Sequence, residues 1–331
     1  MLDVLPSILG EDPHFLDAVE RCSRLATINR PCLVVGERGT GKELFSARLH
    51  YLSDRWNGPL IKVNCAALSE TLLESELFGH ETGAFTGAQR RRAGRFELAD
   101  SGTLVLDEIA NASAAVQEKV LRVIEYGEFE RVGGTETLKI DVRVVGSANQ
   151  DLPALAKTGA FRADLLDRLA FDVITIPPLR ARPGDILPMA ESFARDMLRD
   201  LEMTSFPGFS PRAAQHLQHY DWPGNVRELR NVVERSLFYA AADNRPIADI
   251  RIDPFDSPWR PASISSEPAG PATGSAPSGA IGNFAEAVAR FEIALLEKAL
   301  AASRHVQKDA ASRLELSYHQ FRRLLAKHRI P

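Results

Sequence analysis

A glycine-rich run, Gly36-Glu37-Arg38-Gly39-Thr40-Gly41-Lys42-Glu43, follows an apolar, β-branched stretch in this chain of 331 residues. Glycines at a strand-to-helix junction let backbone N–H groups converge on an anion, and the helix that follows adds the positive end of its dipole. Lys42 stands where an ammonium reaches β- and γ-phosphate oxygens. Glu43 stands where Ser or Thr commonly ligates Mg2+, so ligation of that ion is expected to fall on Asp107 and water. Downstream, Thr103-Leu104-Val105-Leu106-Asp107-Glu108 ends an apolar run in two carboxylates. The first suits Mg2+ and the second can activate an attacking water, which together make a site for cleaving a phosphoanhydride. The alternatives are a chance Gly-rich turn and a solvated acidic strand end.

These groups need a scaffold that brings the loop and the carboxylates to one edge. Residues 1–175 alternate short apolar runs with helical patterns, the signature of a parallel α/β sheet. Strands are expected over Cys32–Gly36, Leu60–Asn64, Thr103–Asp107, Val142–Ala148 and Phe171–Ile176, each apolar or β-branched, as strands buried on both faces are. Helices are expected over Phe15–Ala26, Gly41–Leu52, Ala112–Glu125 and Phe161–Leu169. Pro177-Pro178 stops the last strand, because proline donates nothing to a ladder. Residues 179–250 read as helices only, over Ile186–Leu201, Pro211–His219 and Asn225–Ala241. The expected domains are 1–177 (α/β), 178–255 (helical lid), 256–282 (linker) and 283–331 (helical tail).

Between the phosphate loop and the carboxylates lies Phe78-Gly79-His80-Glu81-Thr82-Gly83-Ala84-Phe85-Thr86-Gly87-Ala88. Its glycines permit a sharp excursion. The Phe at its tip reads either as a group that enters a partner's pocket or as one that folds back onto the core. Arg131-Val132-Gly133-Gly134-Thr135-Glu136 is a second Gly-rich loop, expected beside the first.

Net charge is −4, but it is unevenly spread. Residues 283–331 carry nine Lys/Arg against five Asp/Glu, so a basic tail follows an acidic body, as expected if the tail alone meets nucleic acid. In that tail, Phe284–Ala301 is a long amphipathic helix, and Val306–Leu314, Glu315-Leu316-Ser317 and Tyr318–His328 read as helix, turn, helix. Ser317 can cap the second helix. Tyr318, His319, Gln320, Arg322, Arg323 and Lys327 lie opposite Phe321, Leu324 and Leu325 and suit phosphates and base edges. The alternative is a basic oligomerisation hairpin. Residues 256–282, dominated by Pro, Ala, Ser and Gly, can bury no core and would span roughly 30 Å as a flexible chain. No run approaches the roughly 18 apolar residues of a membrane helix. Met1–Pro6 lacks a secretory signal's basic start and apolar run. Cys22, Cys32 and Cys65 make no metal spacing, so reduced thiols and a cytoplasmic location are expected.

The phosphate loop, the Asp107-Glu108 strand end and the Gly-Ala-Phe-Thr-Gly-Ala segment resemble the AAA+ domain of bacterial enhancer-binding proteins, the activators of sigma-54 RNA polymerase. Within them the match is to the phage-shock type, and it covers nearly the whole chain outside the linker. The resemblance implies an AAA+ P-loop ATPase with a parallel sheet and helical lid, followed by an all-α Fis-type helix-turn-helix. It implies ATP and Mg2+, and it makes Glu43 an ordinary residue for its position. Asn64, by resemblance, is a switch that contacts Glu108; otherwise it is a polar strand end. Asn149, closing Ser147-Ala148-Asn149, resembles sensor I near the γ-phosphate. Arg162 and Arg168 resemble arginine fingers for a neighbouring subunit, or else they pair on the surface with Asp164 and Asp167. Arg227, in Trp222-Pro223-Gly224-Asn225-Val226-Arg227-Glu228-Leu229, resembles sensor II. Leu9 and Gly10 would line the adenine pocket. Gly83, Ala84, Phe85, Thr86, Gly87 and Ala88 would contact sigma-54, with Phe85 and Thr86 at the tip. The tail departs from the Fis-type pattern at Glu315, where Gly is frequent. Fingers acting between subunits imply a closed ring, by resemblance a homo-hexamer.

With the phosphate loop starting at residue 36, no room is expected ahead of it for a receiver domain. Control is expected in trans, from an inhibitory protein of phage-shock type. Trp56 is either an exposed anchor for it or packed beneath its own turn. The expected function is an ATP-dependent activator that binds a double-stranded DNA enhancer and remodels the closed complex of sigma-54 RNA polymerase holoenzyme into the open one. One rival is a nucleotide-switched DNA-binding scaffold without turnover, disfavoured by Lys42, Asp107, Glu108 and two candidate fingers. The other is an AAA+ DNA translocase, which Arg90-Arg91-Arg92 favours and the uncharged Phe-Thr tip disfavours.

Overall fold

The computed structural model describes residues 8–200, 206, 208–240, 246–257, 259–260, 284–303, 306–314 and 316–328. The chain forms two compact units, Met1–Asp256 and Ser257–Pro331. The first opens with α1 (Pro13–Ala26), whose leading N–H groups are capped by the Asp12 carboxylate. β1 (Cys32–Val35), α2 (Lys42–Tyr51) and β2 (Leu60–Asn64) follow, then α3 (Glu70–Phe78), the single turn α4 (Arg95–Leu98) and β3 (Thr103–Asp107). Next come α5 (Ala114–Tyr126), β4 (Glu128–Glu130), β5 (Thr137–Lys139), β6 (Arg143–Ala148), α6 (Leu152–Thr158), α7 (Ala163–Leu169) and β7 (Val173–Thr175).

Five strands pair in parallel in the order β2-β3-β6-β1-β7. Successive side chains of a strand face opposite layers. Leu104 and Leu106 meet Val116, Val120 and Leu165 on one side, while Val105 joins Val34, Phe45 and Leu49 on the other. Burial on both faces is why these strands read as unbroken apolar runs. The register sets Asn64 beside Asp107 and Val35 beside Ala148. The carboxyl ends of β1, β2, β3 and β6 therefore share one edge, where an open parallel sheet holds its ligands.

The antiparallel hairpin of β4 and β5 was not expected from the sequence. Phe129 and Leu138 are its only apolar side chains, set among Glu128, Glu130 and Lys139. The second Gly-rich loop, Arg131–Glu136, is the turn of this hairpin.

The three cysteines are free and buried. Burial pushes the Cys22 thiol up to about 12 and the Cys32 thiol up to about 11. Burial, with Asp107 and Glu108 nearby, also takes Cys65 to about 12.

The lid contains α8 (Ile186–Asp200), α9 (Pro211–His219) and α10 (Asn225–Ala240). They close around fully buried Trp222, whose indole N–H donates to the Leu217 carbonyl at 2.8 Å. Leu201 and Ala241, expected to end two of these helices, lie outside the described residues. In the second unit α11 (Phe284–Ala302), α12 (Gln307–Arg313) and α13 (Tyr318–His328) pack about Leu296, Leu300, Ala310, Ala311, Phe321 and Leu325. Most of the expected linker, and Glu315, lie outside the described residues. Among the described residues, no helix is long and apolar enough to cross a membrane.

Candidate active site

The phosphate loop joins β1 to α2. Gly39 and Gly41 take φ of 78° and 101°, the left-handed backbone that glycine tolerates. Lys42 is buried, and its Nζ donates to the carbonyls of Gly36 at 2.9 Å and Glu37 at 3.2 Å. Burial draws its pKa down, while the carboxylates of Glu108 and Asp107 pull it back up. Lysine and both acids therefore share one field. Thr40 Oγ1 donates to the Glu37 carbonyl at 2.9 Å, so it braces the loop.

Asp107 ends β3 and accepts a short hydrogen bond from Ser147 Oγ of β6. Glu108 follows at φ 54°, an uncommon conformation for a side-chain-bearing residue that costs about 1–3 kcal/mol. Its Oε2 is buried without a partner, as is Oδ1 of Asn149 at the end of β6. Two aimed, unsatisfied oxygens at one sheet edge need donors from a bound group or from water.

Asn64 does not meet Glu108: its Oδ1 accepts from the Ala66 N–H at 2.9 Å, closing the turn after β2. The Glu43 carboxylate pairs with Lys62 at 2.7 Å on the exposed side of α2. A Mg2+ ion at this edge would depend on Asp107, with Glu108 next in sequence. No trio of His, Cys, Asp or Glu able to hold an ion occurs among the described residues. One or two carboxylates completed by phosphate oxygens and water is the donor set this small, hard ion accepts.

The lid grips the loop through Arg180 and Asn225. Glu37 takes a forked ion pair from Arg180, with bonds of 2.8 and 2.5 Å. Asn225 Nδ2 donates to Glu37 Oε2 at 3.1 Å and to the Arg38 carbonyl at 3.0 Å. Arg180 and then Asn225 hold the Glu37 carboxyl down at about 2. Asn225 and Trp222 both have positive φ, so the turn before α10 carries strain that its contacts must hold. The signal in the sequence was Asn after Pro-Gly, since Asn tolerates this region.

The Gly39 carbonyl accepts from Val226 N–H at 3.0 Å, and a Cβ on Gly39 would come within 2.2 Å of the Gly224 carbonyl. Gly39→Ala is therefore expected to raise the KM for ATP about tenfold or more, since about 1.4 kcal/mol suffices for tenfold; an ATP titration matching wild type would separate lid closure from binding. Arg227 is exposed at the start of α10, close enough to depress Lys42. Leu9 and Gly10 lie at the described start of the chain, where Ile8 packs on the layer formed by Phe15 and Phe45.

Arg162 precedes α7, and Arg168 lies near its end. Arg162 pairs with Asp164 at 2.7 Å and Glu118 at 3.4 Å. Arg168 pairs with Glu125 at 2.8 Å rather than with an aspartate of its own helix. Both guanidiniums are exposed pairs, which hold little energy and release easily.

The Gly-rich excursion closes on itself: Gly83 N–H donates to the Ala88 carbonyl at 2.8 Å, and Ala88 N–H to the Phe85 carbonyl at 3.0 Å. A Cβ on Gly83 or Gly87 would meet nothing within 4 Å, so their φ of 84° and 106°, rather than space, requires glycine. Of the two readings of Phe85, this structure shows its ring turned back toward the body of the domain. The residue is half-buried, with its ring set edge-on to buried His80 at 5.0 Å. Thr86 is exposed.

The hairpin turn supports this loop. Glu81 N–H donates to the Val132 carbonyl at 3.1 Å, and Ala84 lies directly against Gly133. Buried Arg131 binds Glu81 and Glu97, at 3.0 and 2.5 Å.

In the second unit Ser317 Oγ accepts from Gln320 N–H at 3.3 Å and Gln320 Oε1 accepts from Ser317 N–H at 3.0 Å, a reciprocal cap on α13. Tyr318, His319, Gln320, Arg322, Arg323 and Lys327 are all exposed. Two are partly engaged within the unit: Gln320 in that cap, and Lys327 with Glu292 of α11 at 2.7 Å.

The family model of the sigma-54 interaction domain matches residues 8–176, that of the AAA+ ATPase lid domain residues 180–252, and that of the bacterial regulatory protein, Fis family, residues 287–328. The Psp operon transcriptional activator of Escherichia coli (strain K12) is 54% identical over 331 residues, 100% of both chains. A Nif-specific regulatory protein of Rhodobacter capsulatus is 51% identical over 232 residues, 70% of this chain and 40% of that one. Among solved structures, NtrX from Brucella abortus in complex with ATP is 31% identical with a TM-score of 0.68, over 98% of this chain and 69% of that one. With a phosphate loop, two carboxylates and a braced Gly-Ala-Phe-Thr-Gly-Ala loop on one parallel sheet, the chain belongs to the sigma-54 interaction domain family, as an AAA+ sigma-54-dependent transcriptional activator.

Proposed function

We propose that this activator binds an upstream double-stranded DNA enhancer through α12 and α13, and uses ATP hydrolysis to convert the closed complex of sigma-54 RNA polymerase holoenzyme into the open complex, at a stress operon of phage-shock type. One observation carries this reading. The Gly83–Ala88 loop lies within the connection from β2 to β3, between the strand ending in Asn64 and the strand ending in Asp107. A change at the catalytic edge thus reaches the loop through both of its roots.

In this reading Lys42 and the loop N–H groups hold the phosphates. Asp107 holds Mg2+, which when bound neutralises phosphate charge. Glu108 orients the attacking water and takes its proton, and Asn149 and Arg227 contact the phosphates. Asn64 exchanges its Ala66 bond for Glu108 in another nucleotide state. Arg162 and Arg168 exchange their surface pairs for the nucleotide of the next subunit in a homo-hexameric ring. The inhibitor acting in trans docks at Trp56, which is 54% exposed and precedes β2, at the sheet edge opposite Asp107. Work on polymerase places the protein in the cytoplasm. The translocase reading weakens because Arg91 and Arg92 pair with Glu81 and Glu76.

The test is open-complex formation by sigma-54 holoenzyme on a cognate promoter. Opening should need this protein and hydrolysable ATP together. Robust ATP turnover without opening would point to another client. A chain lacking residues 283–331 is expected to lose enhancer affinity by about 10³-fold or more, the usual gap between specific and non-specific binding, while still activating at high protein concentration. Unchanged affinity in a gel-shift titration would remove α12 and α13 from that role.

A further inference from the structure

Three pieces of the chain meet at one buried ion pair that the catalytic reading does not use. Arg182 and Asp185 lie in the two short turns that lead into α8, and they are 0% and 2% exposed. Asp185 Oδ1 accepts from the backbone N–H groups of Glu11 at 2.7 Å and Asp12 at 3.1 Å. The Arg182 guanidinium lies 4.1 Å above the Phe15 ring, and its Nη2 donates to the Thr40 carbonyl of the phosphate loop at 3.5 Å. The pair itself is loose, with Nη1 and Oδ2 at 3.8 Å. Arg182 Nε and Nη1 and Asp185 Oδ2 have no hydrogen-bond partner.

A buried, half-satisfied pair is a poor way to gain stability, because desolvation outweighs the attraction unless the geometry is good. What it does here is join the segment carrying Leu9 and Gly10, the phosphate loop and the start of the lid. Gly10 is fitted to it, since at φ 149° a Cβ would come within 2.9 Å of Asp185 Oδ2 and 2.5 Å of the Phe15 ring.

We infer that Arg182 and Asp185 are positioning residues that tie the Gly10–Asp12 segment to the phosphate loop, so that this pair sets the affinity for ATP without touching the nucleotide. The inference rests on the nucleotide reading above. Asp185→Ala in the full chain releases two backbone N–H groups and strands Arg182, and it is expected to raise the KM for ATP roughly tenfold or more with kcat held within about twofold. Asp185→Asn keeps an oxygen for the two N–H groups and should recover most of the loss. Gly10→Ala disturbs the same seat from the segment side and should raise KM as well. Both changes unseat the same segment, so the double variant should fall short of the product of the two single effects.

A KM for Asp185→Ala within about twofold of wild type overturns the inference, as does a fall in kcat at unchanged KM or fully additive effects in the double variant. If Asp185→Ala does not fold, the KM of Gly10→Ala decides by the same criteria: a value within about twofold of wild type overturns the inference. Absence of ATP turnover in the wild-type chain would instead refute the nucleotide reading.

Discussion

Glu108→Ala should bind ATP with near-normal affinity and hydrolyse it about 10²- to 10⁴-fold more slowly, the span associated with losing a general base. The carboxylate is held at φ 54° with one oxygen buried and unpartnered, beside a lysine whose charge it supports. None of the phosphate-loop contacts of Lys42 involves it, so binding should survive. Phosphate release at saturating ATP, set against an ATP-binding titration, separates the two effects. Turnover within about threefold of wild type would mean that another group activates the water.

Thr86→Ala should leave ATP turnover intact and reduce open-complex formation by about 30-fold or more, as expected if a hot-spot contact worth at least about 2 kcal/mol is lost. The hexapeptide holds its shape through backbone bonds between Gly83 and Ala88 and between Ala88 and Phe85, and through glycines at positive φ, none of which needs the Thr86 side chain. Its exposed hydroxyl and methyl are available to a partner. Parallel assays of phosphate release and promoter opening would settle the point. Loss of both activities would make the loop a structural element of the ATPase.

The sheet was legible because strands buried on both faces read as apolar runs; β2 and β3 match their expected spans residue for residue. The phosphate loop and Asp107-Glu108 were legible because few residue types perform that chemistry. The hairpin of β4 and β5 was not, since three-residue strands with one apolar side chain each leave no alternation to read. The roles of Asn225 and Arg180 were not legible for a different reason: they arise from the lid meeting Glu37, more than 140 residues away, and no local pattern encodes such a meeting. The poses of Phe85 and Asn64 depend on which of two nearby partners each side chain takes, and residue type alone does not choose. For Arg162 and Arg168 both readings invoke a paired guanidinium, and the surface pairing is the one a single subunit can make.

The burial of all three thiols has a practical consequence. With Cys22, Cys32 and Cys65 inside the fold and their ionisation pushed to about 12, 11 and 12, the native chain offers alkylating reagents almost no thiolate at neutral pH. The protein thus provides its own silent background for site-specific labelling. A single cysteine introduced at an exposed position just after the hexapeptide, such as 89, could carry a fluorophore or spin label without removal of any native cysteine, and the excursion of the loop could then be followed in real time through each cycle.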